Sequence, residues 1–213
     1  DNVIFISNKL TKKILIFLLT LSFSVASSQI YTSRIIEVEP GQMENFVKAA
    51  GEKTQKFNNS DDNFAFSTFE ILSGSDTGKI FRVQIGSPEM MDGGLNPEEA
   101  NYWSKNVDKY IKSNSSGRTI MWTRNANASV WPDSTRDHDL RMVMFYNYKD
   151  SGEQDFWRFR IRQAEARAAM GDDQINSAMH VMNCASGCDG NWVAIFFTLS
   201  LIHISEPTRP LYI

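Results

Sequence analysis

Residues 31–57 read YTSRIIEVEPGQMENFVKAAGEKTQKF, and this stretch decides the fold. The β-branched run YTSRIIEVEP (31–40) is closed by Pro40 and Gly41. Met43, Phe46, Val47, Ala50, Thr54 and Phe57 then recur at three- and four-residue spacing, the apolar face of a helix. A strand feeding a helix through a proline-glycine break sets the class of the unit that follows. Residues 64–72 (FAFSTFEIL) and 79–85 (KIFRVQI) are strand-like runs joined by the turn-rich SGSDTG, which reads as a hairpin. A second helix is expected after Asn96, which can cap it. Pro97 suits its first position, and Ala100, Trp103, Val107 and Tyr110 form its buried stripe. RTIMWTR (118–124) supplies a fourth strand, completing β-α-β-β-α-β, the split βαβ or ferredoxin-like motif.

After a turn-rich stretch ending at 139, the pattern restarts. Residues 140–149 read as strand, 151–170 as helix and 177–185 as strand. A SGCDGN turn then leads into the strand WVAIFF. Gly41 and Phe46 parallel Gly152 and Trp157 at an offset of 111, and Gly74 parallels Gly187 at 113, so the second segment reads as a repeat of the first. The expected fold is therefore α+β, with two tandem ferredoxin-like units. The first covers 29–131, a linker 132–139, and an incomplete second unit 140–197 that lacks about 40 residues carrying a helix and closing strand. A sheet with helices on one face needs cover on the other. That cover is expected from the second unit or from self-association.

This order of elements resembles the dimeric α/β-barrel superfamily, which includes antibiotic-biosynthesis monooxygenase domains. The resemblance rests on unit size and on the opening EVEPGQMENFVKAA (37–50). It implies two ferredoxin-like units packed sheet against sheet, and a pocket between a sheet and its own helices. Haem-degrading relatives use an Asn near the end of the first strand together with a Trp and a His. That implies Asn147, in MVMFYNYKD, as a catalytic candidate, beside the plain reading of a strand-end Asn bonded to its own backbone. The first unit has Glu37 or Glu39 near that place and departs from the pattern.

Both ends read as processing or artefact. Lys9, Lys12 and Lys13 precede an apolar run from Ile14 to Val25 and the small residues Ala26, Ser27 and Ser28, the order of a secretory signal peptide within residues 1–28. The apolar run is shorter than the ~20 residues a membrane span needs. The protein is therefore expected to be exported, periplasmic or secreted, with no stable span after cleavage. At the other end, Leu199 to Arg209 (LSLIHISEPTR) resembles a translated sequencing-library adapter, so 198–213 are set aside from fold reasoning.

Net charge is −3 and the pI about 5.7, with no block of like charge. This disfavours nucleic acid as a partner. Arg158, Arg160, Arg162 and Arg167 share one helix with Asp155 and Glu165 and read as a solvated face. Cys184 and Cys188 favour a local disulfide in an exported chain, with free thiols, a metal pair or a redox pair as alternatives. No metal-ligand spacing is present, and no cofactor is indicated. His180 shares a strand face with Ala178 and Met182; it is a candidate catalytic base beside the plainer reading of a locally bonded histidine. Trp103, Trp122 and Tyr146 could line a cleft for a small apolar or aromatic ligand, although most aromatics must be core. Three functions remain open: a binding protein for such a ligand, a cofactor-independent oxygenase-like or haem-processing enzyme, and a non-catalytic interaction module.

Overall fold

The computed structural model describes residues 29–199 apart from 60–63, 95, 114, 116–117, 133–139 and 172–177. The signal-peptide reading, most of the linker and the adapter-like residues 200–213 lie outside the described residues. The elements are β1 (Ile30–Ile36), α1 (Met43–Phe57), β2 (Ala65–Glu70), β3 (Ile80–Gly86), α2 (Pro88–Asp92), α3 (Pro97–Asn106), β4 (Ile120–Arg124), β5 (Leu140–Tyr148), α4 (Glu153–Ala168), β6 (Met179–Ser186) and β7 (Asn191–Leu199).

The seven strands form one antiparallel sheet in the order β2-β3-β1-β4-β6-β7-β5. The first four have the ferredoxin-like order, and β6-β7-β5 repeats the β2-β3-β1 part of it. The two units join edge to edge through β4 and β6, where Trp122 pairs with Cys184 beside a bulge at Met121/Trp122. The sheet curls on itself: Arg141 of the edge strand β5 lies 6.0 Å from the ring of Phe69 on the opposite edge strand β2. The fold is thus α+β with two tandem ferredoxin-like units, the second described as β5-α4-β6-β7.

Strand alternation divides the interior into three cores. On β3, Phe81 and Val83 face the concave side while Ile80, between α1 and the sheet, faces the helices. On β7, Ala194 faces the concave side while Val193 and Ile195 pack under α4. The concave core contains Tyr31, Phe81, Val83, Trp122, Met182 and Ala194, drawn from both units. Phe81 meets Phe196 at 6.1 Å, and Trp122 meets Phe145 at the same separation. The second unit therefore covers the sheet face that the first unit leaves bare. Inside this core the Trp122 indole N–H donates to Ser33 Oγ at 2.8 Å, so its one polar atom is satisfied at almost no exposure.

Local signals account for the elements, with four corrections. Asn96 caps α3 as expected, its side chain accepting from the N–H groups of Glu98 and Glu99, with Pro97 following. A short helix absent from the expected order of elements, α2, follows β3, started by Ser87 Oγ accepting from Met90 N–H. The buried stripe of α1 is Phe46, Ala49, Ala50 and Lys53, and Val47 is exposed. The helix is thus turned from the expected face, which brings a lysine inward. Arg160 of α4 is buried rather than solvated, its guanidinium 4.4 Å from the Tyr146 ring. Finally, β7 runs past Phe197 to Leu199, because buried Thr198 pairs with Arg141 and its Oγ1 accepts from Ala178 N–H at 2.8 Å.

Candidate functional site

A cavity of about 270 Å³ lies between the first unit's sheet and its helices. That is just below the ~300–1,000 Å³ typical of small-molecule sites. β1 contributes Thr32 and Arg34, β3 Arg82 and Gln84, and β2 Phe66. From the helices come Lys53 of α1 and Glu99 and Trp103 of α3. The strand residues reach it because the helix-facing side of β1 and β3 takes the even-numbered positions, the odd ones entering the concave core.

Its walls are cationic and aromatic. Arg34 and Arg82 are directly opposite one another across the β1–β3 ladder. The Arg34 guanidinium sits 4.9 Å from the Trp103 ring centroid and that of Arg82 sits 5.1 Å from it. Arg82 also covers Phe66 at 4.5 Å, and Lys53 Nζ lies 3.9 Å from the same ring. Cations over ring faces gain from the ring quadrupole, more so when desolvated. Arg82 donates to Thr68 Oγ1 at 2.6 Å and to Thr54 Oγ1 at 3.2 Å, but its buried Nε–H has no acceptor. Lys53 is ion-paired with Glu99 and donates to Asn58 Oδ1 at 2.9 Å.

Burial dominates the electrostatics. It pulls Arg82 down to about 10, with neighbouring Arg34 adding to the shift and Glu99 opposing it. Arg34 is lowered mainly by burial, against the attraction of Asp108, and Lys53 mainly by burial, against its bond to Glu99. A guanidinium remains charged at neutral pH even so. Three cations thus share the cavity with the single carboxylate of Glu99.

The residues singled out from sequence do not converge. Trp103 lines this cavity. Trp122 lies in the concave core beside a second cleft of about 360 Å³ that also takes Glu37, Lys79, Arg118 and Phe145. Tyr146 packs under α4 in the third core. Asn147 is exposed at the end of β5, its side chain against Gly190, where an added Cβ would come within 3.1 Å of it. His180 packs against Trp131 with ring centroids 3.7 Å apart and the rings tilted by 40°. Burial, with Arg124 and Arg141 nearby, holds its pKa down at about 3. Cys184 and Cys188 form a disulfide. The cationic cluster went unread: an Arg midway along each of two apolar strands, and a Lys seven residues after Phe46 on α1, were the available signals.

No family model and no curated protein matches the chain. Solved structures do share its fold. A provisionally assigned monooxygenase from Lactobacillus acidophilus NCFM superposes with a TM-score of 0.56 at 9% identity, over 84% of this chain and 83% of that one. Another provisionally assigned monooxygenase, from Fusobacterium nucleatum, gives 0.57 at 9%, over 84% and 80%. An anthrone oxidase-like protein gives 0.52 at 10%, over 86% and 80%. These structures share the chain's fold of ferredoxin-like units in one curled antiparallel sheet, the fold that the order of elements implied. Likeness at this identity establishes the fold and leaves the chemistry to the site.

Proposed function

We propose that the chain is an exported protein that binds a small aromatic molecule in the cavity between the first unit's sheet and its helices. The observation that carries this reading is the pair of aromatic side chains, Phe66 and Trp103, set into one cavity of ligand size. Export is supported by the signal-peptide-like order of residues 1–28 and by the Cys184–Cys188 disulfide, since disulfides persist in oxidising compartments. Titration of the protein with a flat aromatic probe such as 1-naphthoate, followed by tryptophan fluorescence, tests it. Saturable binding that Trp103→Ala weakens by about tenfold, with far-UV circular dichroism unchanged, is the expected result. Binding indifferent to Trp103 places the ligand elsewhere and removes the reading.

A second reading is favoured by the shared fold with an anthrone oxidase-like protein and two provisionally assigned monooxygenases. In it, the bound aromatic substrate itself supplies the electrons to oxygen. The protein excludes water and orients the substrate. Oxygen consumption with an anthrone as substrate decides between binding and turnover. A haem-processing enzyme on the same fold is the remaining alternative; Asn147, at the end of β5, and His180, packed against Trp131, both lie outside the lining of this cavity.

A further inference from the structure

We propose that the ligand of this cavity is an organic anion, an aromatic carboxylate whose acid group is received between Arg34 and Arg82. The inference rests on the aromatic-ligand reading for its location and adds the charge of the molecule.

The first argument is the balance of charge. Arg34, Lys53 and Arg82 line the cavity against Glu99 alone, and Glu99 is already engaged by Lys53. Buried charge is tolerated when it is paired, and two like charges directly opposite on neighbouring strands repel. Arg82 is 3% exposed and keeps an unsatisfied Nε–H. A carboxylate between the two forks would neutralise the opposed pair and supply the missing acceptor. A planar guanidinium fork matches the two oxygens of a carboxylate, and the aromatic walls suit an acid carried on an arene.

The second argument comes from the other unit, which shows what the scaffold itself requires. In the corresponding β5–β7 ladder the helix-facing pair is Met144 opposite Ile195. On α4 the residue seven after Trp157 is Ala164, buried, where α1 has Lys53 seven after Phe46. The same strand order is therefore built with apolar side chains at all three positions. The second unit also buries a guanidinium, that of Arg160, with its Nε–H unsatisfied and the rings of Tyr146, Phe156 and Phe159 at 4.4–5.4 Å, but it projects from α4 and not from the sheet. The three cations of the first unit are thus additions to the scaffold, grouped around a cavity. Trp103, within 4.9–5.1 Å of both guanidiniums and lining the cavity, is the aromatic wall beside which an arene attached to the acid would lie.

The test is isothermal titration of the full chain with 1-naphthoate and with 1-naphthamide, which has nearly the same shape and no charge. The acid is expected to bind more tightly than the amide by about tenfold or more, the effect of hydrogen bonds to a charged group. Arg82→Gln and Arg34→Gln should each remove most of that preference, weakening the acid by a larger factor than the amide. Equal affinities for acid and amide would overturn the anion assignment while leaving an aromatic site standing. Failure of both probes to bind would overturn the aromatic reading and this inference together. Should either variant fail to fold, the comparison of the two probes on the unmodified protein still decides.

Discussion

Arg34 and Arg82 stand opposite one another on β1 and β3, two guanidiniums on the helix-covered face of a sheet, with no carboxylate ion-paired to either among the described residues. A pair so placed does little for the empty protein. Opposed like charges cost up to ~1 kcal/mol, and stacking on Trp103 returns about as much. Arg34→Met, which installs the residue type found at the matching place in the second unit, is therefore expected to leave ligand-free stability within ~1 kcal/mol of the parent. Urea denaturation measures this. A loss above ~2 kcal/mol would mean that Arg34 is scaffold and not a recognition group.

The Lys53–Glu99 pair behaves differently, because Lys53 is almost completely buried. Glu99→Gln strands an ammonium whose remaining acceptor is Asn58, at an expected cost of ~1–3 kcal/mol, whereas Lys53→Met frees a partly exposed carboxylate and costs less. Burial lowers the Lys53 pKa, and the bond to Glu99 partly restores it. Without that bond the folded-state pKa falls further below its unfolded value. The Glu99→Gln deficit should then shrink as pH rises toward 10.5, where the unfolded lysine also loses its proton. Denaturation curves at several pH values check the slope. A deficit that is flat or grows with pH contradicts it.

The fold was legible because its signals were local and repeated. Asn96-Pro97 started a helix where it should, and the Gly74 and Gly187 turns, both at positive φ, marked matching hairpins. The site was not legible, for a geometric reason. Rotating the buried face of α1 so that Ala49 and Lys53 replace Val47 and Thr54 turns an apparent surface lysine into a cavity wall. Arg34 and Arg82 share a cavity only through the ladder that pairs β1 with β3, and that register is a long-range property. The sequence placed Trp103, Trp122 and Tyr146 on plausible faces. Only the three-dimensional arrangement sends them into three separate cores.

His180 is held neutral down to about pH 3 by burial and by Arg124 and Arg141, with Trp131 packed at a tilt against its ring. Its pKa lies below the ordinary 6.5, so between these values the unfolded chain binds a proton that the folded one refuses. The stability this residue contributes is complete above about 6.5 and is lost progressively as pH falls toward 3. His180→Phe keeps an aromatic contact with Trp131 and removes the titration. The variant's stability should decline less steeply over that window, measured by urea midpoints against pH. Parallel curves for parent and variant would mean that His180 titrates normally.

Gly74 and Gly187 occupy matching hairpins with similar backbone angles, φ +97° and +86°, yet their surroundings differ. A Cβ at Gly74 would meet open space, while one at Gly187 would come within 2.5 Å of the Thr119 carbonyl oxygen, where the β6–β7 hairpin presses on the start of β4. Gly74→Ala should therefore cost only the left-handed backbone penalty of ~1 kcal/mol. Gly187→Ala adds a clash with backbone that cannot rotate away, and ~2–4 kcal/mol is expected. The Cys184–Cys188 bridge spans Gly187 and holds the hairpin in that close approach. Its loop is so short that reduction should cost only ~2 kcal/mol, and less if the hairpin persists in the unfolded chain. Under reducing conditions the hairpin can shift away from Thr119, so the Gly187→Ala deficit should narrow while the Gly74→Ala deficit stays the same. Thermal melts of both variants with and without dithiothreitol distinguish the cases. Equal deficits for the two alanines would show that contact with β4 contributes nothing and that backbone conformation alone fixes both glycines.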